Sequence, residues 1–382
     1  MKLAFVYDAV YPRVKGGAEK RIYELGKRLA KEGNEVHVFG VKWWEGGDMI
    51  KNEGMVLHGV CRRMELYVNG RRSIPEAVIF SFKLFLPLIR EKYDVIDVSA
   101  FPYFSCFTVK LVSILRRTPM ITTWHEVWGD YWYEYLGWWG FFGKVVEFFA
   151  SKLPYMSIAV SALTKRNLRL LGVKDENVHI IPNGIELKRI AEIMPSPDEC
   201  DIIFTGRLIR EKNVDVLLQA VGYVKETIPD VKCHIIGDGP ENEKLAGLAV
   251  EHGLLGNVRF FGFMGYEEVI ARIKSSKILV LPSSREGFGM VVIEAFACGV
   301  PVITVKGERN AASSLVSEKT GLVVNLDAEE LGSAISTLIG NDVFREKLAA
   351  SAMDAAQEYD WDRIVRQASC MYEEHLLKSM RT

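Results

Sequence analysis

Residues 281–305 read LPSSREGFGMVVIEAFACGVPVITV, and this stretch decides the fold that we predict. The run ILVLP at 278–282 is short, apolar and β-branched, which is typical of a strand buried on both faces. Phe288 and Gly289 interrupt this pattern, and the residues after them predict a helix that begins near Met290. The segment CGVPV at 298–302 then returns the chain to a strand. The stretch therefore predicts a strand, a loop, a helix and a strand, which is the repeating unit of a parallel α/β sheet.

The start of this helix is a candidate anion site between two acids. The first backbone N–H groups of a helix are unpaired and lie at the positive end of its dipole, so they bind a phosphate without any side chain. Glu286 precedes the helix and Glu294 lies about one turn inside it. A carboxylate accepts hydrogen bonds from paired hydroxyls. A sugar, a diphosphate and a ribose would meet Glu286, the backbone amides and Glu294 in that order. Either acid alone is more typical of an exposed surface residue, and the surrounding Gly-Phe-Gly pattern favours the ligand site.

Length and composition indicate two intracellular domains. With 382 residues, of which 49% are hydrophobic, the chain is too long for one ordinary core. The six cysteines are far apart and form no C-x-x-C pair, so neither a disulfide framework nor a zinc site is predicted. No signal peptide and no apolar run of about 20 residues is present. We therefore expect a cytoplasmic protein that does not cross a bilayer.

The charge is unevenly distributed along the chain. Residues 1–182 hold 26 Lys and Arg against 19 Asp and Glu, whereas residues 183–382 hold 22 against 30. The basic first half favours an anionic surface or acceptor, although charge on a solvated exterior is the more common cause. No nucleic-acid-binding motif occurs, so we expect no nucleic-acid partner.

The order of the predicted elements indicates two α/β domains. Strand candidates in the first half are LAFVYD, EVHVFGV, DVIDVS, MITTW, SIAVS and HIIPN, and those in the second half are DIIFTG, VKCHIIG, NVRFFG, KILVLP and VPVITV. We predict an N-terminal domain at 1–190, a C-terminal domain at 198–358, and a helix at 359–382 that packs back on the first domain. Ligands of parallel sheets bind at the carboxyl ends of the strands, so a cleft between the domains is the expected site.

Three further groups of candidate site residues follow predicted strands. Arg207 and Lys212 come after DIIFTG and could neutralise the charge of a departing diphosphate. Gly16 and Gly17 follow the first strand and would let the backbone approach a phosphate or a sugar, although such a pair is often only a turn. His125 follows MITTW and is placed to bind sugar hydroxyls or to move a proton, although a single histidine is more often structural. No metal-ligating pattern is found, so no metal or cofactor is expected.

An aromatic segment spans residues 124–150 and holds five of the eight tryptophans. Such side chains suit a wall that stacks on sugars or a membrane interface. With the basic first half they predict a lipid-linked acceptor and peripheral contact with the cytoplasmic membrane face. Burial against neighbouring helices is at least as consistent with the pattern.

Taken together, the chain resembles the retaining glycosyltransferases of family four, which have the GT-B fold of two facing Rossmann-like domains with doubly wound parallel sheets. The matching residues are Gly16-Gly17-Ala18-Glu19, His125, Pro182-Asn183-Gly184-Ile185, Gly206-Arg207-Leu208, Lys212-Asn213, Gly237-Asp238-Gly239-Pro240, Glu286-Gly287-Phe288-Gly289, Glu294-Ala295 and Gly299-Val300-Pro301-Val302.

The resemblance implies that the second domain holds most of a nucleotide diphosphate sugar. Arg207 and Lys212 would bind the diphosphate and Glu294 the ribose. Glu286 would surround the transferred sugar and phosphate together with Gly287 and the amides of Phe288, Gly289 and Met290. Gly16, Gly17 and His125 would approach from the first domain. No metal is required in such enzymes, and the departing phosphate oxygen takes the acceptor proton, so that the anomeric configuration is kept.

One loop departs from the family pattern. Members often have a Gly-Gly pair and an acid after the Pro-Val strand, whereas this chain has Lys306-Gly307-Glu308-Arg309-Asn310-Ala311-Ala312. The ligand contacts of that loop are therefore not implied by the resemblance.

The predicted function is transfer of a hexose from a UDP- or GDP-sugar to a hydroxyl of a carbohydrate or lipid-linked acceptor. A nicotinamide dehydrogenase is disfavoured, because G-x-G-x-x-G is missing after the first strand and no acid ends the second. A sugar-nucleotide epimerase of the same fold and a non-catalytic sugar-nucleotide-binding subunit are the remaining alternatives.

Overall fold

The computed structural model describes residues 1–14, 16–68 and 71–379. The chain divides into two compact units, one formed by Met1–Asn183 with the segment from Trp361 onward and the other by Gly184–Asp360. The limits predicted from the sequence were residues 190, 198 and 358. These are unit 1 and unit 2, respectively.

Unit 1 is built on an eight-stranded sheet in the order β10-β9-β8-β7-β1-β2-β4-β3. Its strands, with a separate β5–β6 hairpin, are β1 (Lys2–Val6), β2 (Glu35–Lys42), β3 (Met49–Asn52), β4 (Met55–Arg62), β5 (Tyr67–Val68), β6 (Arg71–Arg72), β7 (Val95–Ser99), β8 (Met120–Trp124), β9 (Met156–Ala159) and β10 (Val178–Ile180). Neighbouring strands of the sheet are parallel except for β3, which pairs antiparallel with β4. The sequence analysis missed β3 and β4.

Unit 2 is built on a six-stranded parallel sheet in the order β13-β12-β11-β14-β16-β18. Its strands are β11 (Cys200–Thr205), β12 (Cys233–Ile236), β13 (Val258–Phe260), β14 (Ser276–Leu281), β15 (Arg285–Glu286), β16 (Val302–Val305), β17 (Arg309–Asn310) and β18 (Gly321–Val324), of which β15 and β17 form a small separate pair. The sequence analysis missed β18, where a side chain on Gly321 would lie 1.9 Å from the carbonyl oxygen of Val302. Glycine weakens a strand pattern in the sequence, but close packing requires it at this position.

Helices connect the strands of both sheets. They are α1 (Gly17–Lys31), α2 (Ile74–Ile89), α3 (Phe104–Arg116), α4 (Tyr131–Leu136), α5 (Gly140–Lys152), α6 (Ala162–Leu170), α7 (Leu187–Glu192), α8 (Val214–Thr227), α9 (Asn242–Glu251), α10 (Tyr266–Lys274), α11 (Met290–Ala297), α12 (Ala328–Gly340), α13 (Asp342–Ala356) and α14 (Trp361–Ser379). Short 3₁₀ helices lie at 137–139, 175–177, 210–212, 311–314 and 357–359.

The sheet of unit 1 has a core on each face because side chains alternate along β1. Leu3 and Phe5 belong to one buried cluster, and Ala4 and Val6 belong to the other. The α14 helix contributes to the cluster that holds Phe5, and it is also joined to the sheet by a buried hydrogen bond. The Tyr372 hydroxyl donates to Asp97 Oδ2 at 2.6 Å, and Thr123 Oγ1 donates to Asp97 Oδ1 at 2.7 Å. These bonds satisfy a carboxylate in the middle of unit 1.

The α/β class and the two parallel, Rossmann-like sheets that the sequence predicts are confirmed. The edge strand β3 is the exception to the parallel pairing.

Candidate functional site

Two loops of unit 2 are joined because the strands before them are neighbours. β11 and β14 pair in parallel, with Ile203 opposite Leu279, so the loops after them leave the same edge of the sheet. The carbonyl oxygen of Glu211 accepts hydrogen bonds from the backbone N–H and the Oγ hydroxyl of Ser284 at 2.9 and 3.2 Å. The side-chain amide of Asn213 donates to the carbonyl oxygen of Pro282 at 2.9 Å. The loops thus form one frame at the carboxyl edge.

Lys212 and Glu286 face each other across this frame. The Lys212 ammonium is hydrogen-bonded to Glu286 Oε1, and the two side chains are only 16% and 14% exposed. The Cε atom of Lys212 lies 3.7 Å from the position that a Cβ on Gly206 would take, so the lysine folds back over the end of β11. A partly buried ion pair is screened less by salt than a surface pair. The arrangement offers a cation for an anionic ligand and, beside it, an acceptor for hydroxyls.

The helix α11 begins at a position where only glycine fits. Gly289 has a φ of +101°, and a Cβ there would lie 2.7 Å from the Cβ of Ala312. Phe288, which precedes Gly289, is buried. Its ring packs edge-on against the ring of Tyr359, with 6.1 Å between the ring centroids. The backbone is therefore held in place where the helix leaves its first amides unpaired.

The loop at 306–312, which departs from the family pattern, supports the backbone of Glu286. Glu286 pairs with Asn310 in the two-stranded β15–β17 ladder. Asn310 is buried, donates from its side chain to the carbonyl oxygen of Val305 at 2.8 Å, and accepts from the N–H of Ala312 at 3.1 Å. The residues that depart from the family pattern thus hold the backbone of the candidate acid. The sequence analysis missed this role, because an Asn in a loop gives no signal of its partners.

Glu294 lies within α11, close to the start of α10. It is half-buried, and its charge, after the larger effect of burial, raises the pKa of Tyr266 at the start of α10. Burial also raises the pKa of the neighbouring Cys298 thiol to about 12. Glu286 therefore lies next to Lys212, whereas Glu294 lies next to Tyr266. The start of α11 lies between the two acids in the sequence.

Arg207 is exposed at the end of β11. The adjacent loop after β12 packs tightly on this turn, since a Cβ on Gly237 would lie 1.8 Å from the carbonyl oxygen of Gly206 and one on Gly239 would lie 2.3 Å from that of Leu208. The glycines of the Gly237-Asp238-Gly239 segment therefore allow the two turns to pack together. Arg207 projects from a rigid turn, and its guanidinium is accessible to an anion.

His125 in unit 1 is half-buried. Its Nε2 is buried without a hydrogen-bond partner among the described residues, and the ring borders a cavity of about 10 Å³. That volume holds about one water and no hexose. Burial, and secondarily the charge of Arg21, lowers the pKa of His125 to about 3. A base with so low a pKa is a poor proton acceptor near neutral pH. Both observations are features of a structural histidine, and the role of His125 in binding hydroxyls or moving a proton stays a prediction.

The start of α1 is already occupied by an acid of the chain. Gly16 precedes α1 in extended conformation, and a Cβ on Gly16 would lie 2.5 Å from Glu19 Oε2. Glu19 is buried and its carboxylate accepts its own backbone N–H, although burial raises its pKa. An anion near Gly16 and Gly17 would compete with this carboxylate, so the pair is better suited to a neutral hydroxyl.

One group of metal-capable side chains occurs in the part of the chain that the structure describes. Glu35, His37 and Glu91 offer ligand atoms within 4.8 Å of one another. The ammonium of Lys2 lies 2.8 Å from Glu35 and 2.5 Å from Glu91, so a cation of the chain already pairs with both acids. This group gives no sequence signal, because Glu91 is far from Glu35 and His37 along the chain.

The aromatic segment at 124–150 divides between core and surface. Trp124 and Trp132 are buried, whereas the exposed members include Trp138, Trp139, Phe141, Phe142, Phe148 and Phe149. Among the described helices, none combines the length and the apolar character needed to span a bilayer. Burial accounts for part of the segment only, and an apolar surface remains.

Comparison with known proteins identifies the family. Residues 15–189 match the family model of Glycosyltransferase Family 4, and residues 189–355 match that of Glycosyl transferases group 1. The chain belongs to glycosyltransferase family four. It is 31% identical to the phosphatidyl-myo-inositol mannosyltransferase of Mycobacterium leprae over 56% of this chain and 58% of the relative. The chain spans about half the length of the first curated relatives that it matches.

Solved structures of low sequence identity show the GT-B fold for this family member. The sucrose-phosphate synthase of Thermosynechococcus elongatus has a TM-score of 0.83 and 22% identity, with 98% of each chain covered. The Anabaena protein HepE, solved in complex with UDP-glucose, has a TM-score of 0.75 and 19% identity, with 98% of this chain and 100% of HepE covered. The predicted GT-B fold is thus confirmed.

We expect Gly289→Ala to destabilise this family-four protein by about 1–3 kcal/mol, because alanine is strained at a positive φ and meets Ala312. Urea unfolding monitored by circular dichroism measures the loss. Gly247→Ala is the matched control, since Gly247 lies in α9 with no atom within 4 Å of the added Cβ, and it should change stability by at most about 1 kcal/mol. Equal effects of the two substitutions would contradict the requirement for glycine at the helix start.

We expect the wild type to lose stability relative to His125→Gln as the pH falls below 6.5. The folded protein keeps His125 neutral down to a pKa of about 3, whereas the unfolded chain takes up the proton at about 6.5. The contribution is therefore fully present above pH 6.5, and the difference between the variants should change by about 1.4 kcal/mol per pH unit between pH 6 and 4. Urea titrations at several pH values measure it, with exposed His252→Gln as the control. A pH-independent difference would contradict the buried neutral state.

Proposed function

We propose that the chain transfers a hexose from a nucleotide diphosphate sugar to a hydroxyl acceptor, with retention of the anomeric configuration. The observation that carries the proposal is the Lys212–Glu286 pair, fixed at the carboxyl edge of the unit 2 sheet beside the start of α11. Family membership and the UDP-glucose that is bound to HepE in its solved complex support this reading. UDP-sugars are therefore the first donors to test, and GDP-sugars the second.

In the proposed reaction, unit 2 holds the donor. The amides at the start of α11, with Lys212 and Arg207, would bind the diphosphate, Glu286 the hexose, and Glu294 the ribose. The bond between the anomeric carbon and the phosphate oxygen breaks, the acceptor oxygen bonds to that carbon, and the acceptor proton passes to the departing phosphate. The two cations would stabilise the negative charge that develops on the leaving group. No metal or cofactor is part of this proposal.

Unit 1 would serve the acceptor. Its exposed aromatic side chains at 138–149 suit peripheral contact with the cytoplasmic face of a membrane, since amphipathic aromatic surfaces bind the headgroup region. The mannosyltransferase relative carries a phosphatidyl-inositol in its name, which agrees with a lipid-linked acceptor. A carbohydrate acceptor remains the second candidate.

The direct test is product analysis with a panel of UDP- and GDP-sugars, with and without octyl glucoside as a generic hydroxyl acceptor, and in the presence of EDTA. We expect nucleotide diphosphate and a new glycoside of retained configuration by nuclear magnetic resonance, with EDTA having no effect. Conversion of the donor into another nucleotide sugar without acceptor would indicate an epimerase. Binding without any turnover across the panel would indicate a non-catalytic subunit.

We expect Glu286→Gln and Lys212→Met each to lower kcat by about a hundredfold, since each removes a charge that acts on the transition state. Donor affinity should change by only about threefold with Glu286→Gln, whereas Glu294→Gln should weaken donor affinity more than it lowers kcat. Steady-state kinetics and calorimetric donor titrations measure these effects.

The control is an ion pair of the same type in unit 2. Lys244 in α9 and Glu241 just before this helix contact each other at 2.9 Å. Lys244→Met and Glu241→Gln should leave kcat and donor affinity unchanged. Unchanged kinetics in the Lys212 and Glu286 variants would reject the proposed site.

We expect exposed aromatic side chains to hold the protein on anionic vesicles. The double variant Trp138→Glu, Phe141→Glu should lose most binding to phosphatidylglycerol vesicles in a flotation assay, because it places two charges at an apolar surface. Val343→Glu is the control, since Val343 is an exposed apolar residue of unit 2. Equal flotation of wild type and double variant would contradict the membrane contact.

A further inference from the structure

Unit 1 contains a large apolar cavity that the donor site does not use. Its volume is about 560 Å³, which is within the range of small-molecule pockets. The walls come from the start of α2, the segment after β7, α4 and α5. Its apolar lining includes Ile74, Phe101, Trp132, Leu136, Phe142 and Val146.

The two tyrosine hydroxyls that border this cavity are engaged within the protein. The Tyr103 hydroxyl donates to Glu147 Oε1 at 2.6 Å, and the Tyr135 hydroxyl accepts from the N–H of Arg72 at 2.6 Å. A sugar would have to give up hydrogen bonds to water without adequate replacement, which is unfavourable in an apolar site. A hydrocarbon chain loses nothing there and gains apolar burial.

The aromatic rings around the cavity also stack on one another. Phe101 and Trp128 lie 4.7 Å apart between ring centroids, and Trp128 and Trp132 lie 4.6 Å apart. Ring faces that are covered by other rings are not free to stack on a sugar. The cavity therefore differs from a carbohydrate-binding aromatic wall.

A positive charge lies at the rim of the cavity. Arg71 and Arg72 both border it, but Arg72 is neutralised by the buried Asp8, to which it is hydrogen-bonded, and lies 3.7 Å from Glu76. Arg71 is exposed, with its guanidinium 5.7 Å from the Tyr135 ring centroid. Arg71 can therefore attract an anionic group at the mouth of the cavity.

The helices that line the cavity also carry exposed apolar side chains. Phe82 and Leu86 of α2 are 84% and 64% exposed, and α5 carries further exposed phenylalanines. The segment after β7 forms part of the wall, so the cavity also borders the carboxyl edge of the sheet, where parallel sheets bind ligands. The cavity therefore lies among helices with exposed apolar side chains, close to the edge of the sheet where ligands bind.

We propose that this cavity binds the hydrocarbon chain of a phosphate-bearing amphiphile, with the phosphate at Arg71. The role of such a lipid as the acceptor rests on the proposed transfer reaction, whereas its binding to unit 1 does not. The hydrocarbon chain of the lipid enters between α2, α4 and α5, and its anionic head group stays at the rim of the cavity.

The test is calorimetric titration of the full chain with octyl phosphate, dodecyl phosphate and inorganic phosphate, below the micelle concentration. Lengthening the chain from eight to twelve carbons should tighten the Kd by about tenfold or more, because each buried methylene adds apolar contact. Inorganic phosphate should not bind measurably. Since no donor is present, the result is independent of whether the transfer reaction is correct.

Two pairs of substitutions locate the site. Phe142→Glu should raise the Kd for dodecyl phosphate by about tenfold or more, whereas Phe149→Glu should change this Kd by at most about twofold. Both residues lie on α5 with nearly equal exposure, 53% and 55%, but only Phe142 borders the cavity. Arg71→Gln should weaken binding by about fivefold, and Lys83→Gln, at an exposed residue of α2, should not. The smaller change Phe142→Ala serves if circular dichroism shows that the glutamate variant is unfolded.

Several outcomes would overturn the proposal. One is a Kd that does not depend on the length of the hydrocarbon chain, and another is an equal effect of Phe142→Glu and Phe149→Glu. A third is tighter binding of the oligosaccharide maltotetraose, titrated in the same way, than of dodecyl phosphate. A stable dimer that Phe142→Glu dissociates, without any binding of dodecyl phosphate, would show that a second copy covers this surface.

Discussion

The parallel pairing of β11 with β14 is the constraint on which the candidate donor site depends. These strands are adjacent in space although about 70 residues separate them in the chain, so their loops share one edge of the sheet. The bonds from Asn213 and Ser284 then join the loops, and Lys212 comes to face Glu286. Without this strand order, the cation and the acid would have no reason to meet.

Much of the fold could be predicted because the buried strands carry clear apolar patterns. The stretch at 281–305 predicted the β14, α11 and β16 succession, and the structure has it. The strands β3 and β4 were missed because they form a mixed edge, where burial is uneven and the apolar pattern is weak. β18 begins with a glycine that close packing against Val302 requires, and propensity alone disfavours glycine in a strand.

The site itself was predicted less completely than the fold. Sequence spacing located Lys212 and Glu286 separately, since each follows a strand, but their pairing is a long-range contact with no local signal. The same limit applies to Asn310, which supports Glu286 through the small β15–β17 ladder. For His125 the sequence shows only a residue type that titrates near neutral pH. The enclosure that lowers its pKa comes from α1 and from strands distant in the chain.

The most direct test of the account is a crystal structure of the protein soaked with a UDP-sugar that it turns over. The account predicts the diphosphate at the first amides of α11, within hydrogen-bond distance of Lys212 Nζ, with Glu286 contacting the hexose. A well-ordered nucleotide bound elsewhere on the chain, with the α11 start free of ligand, would contradict it.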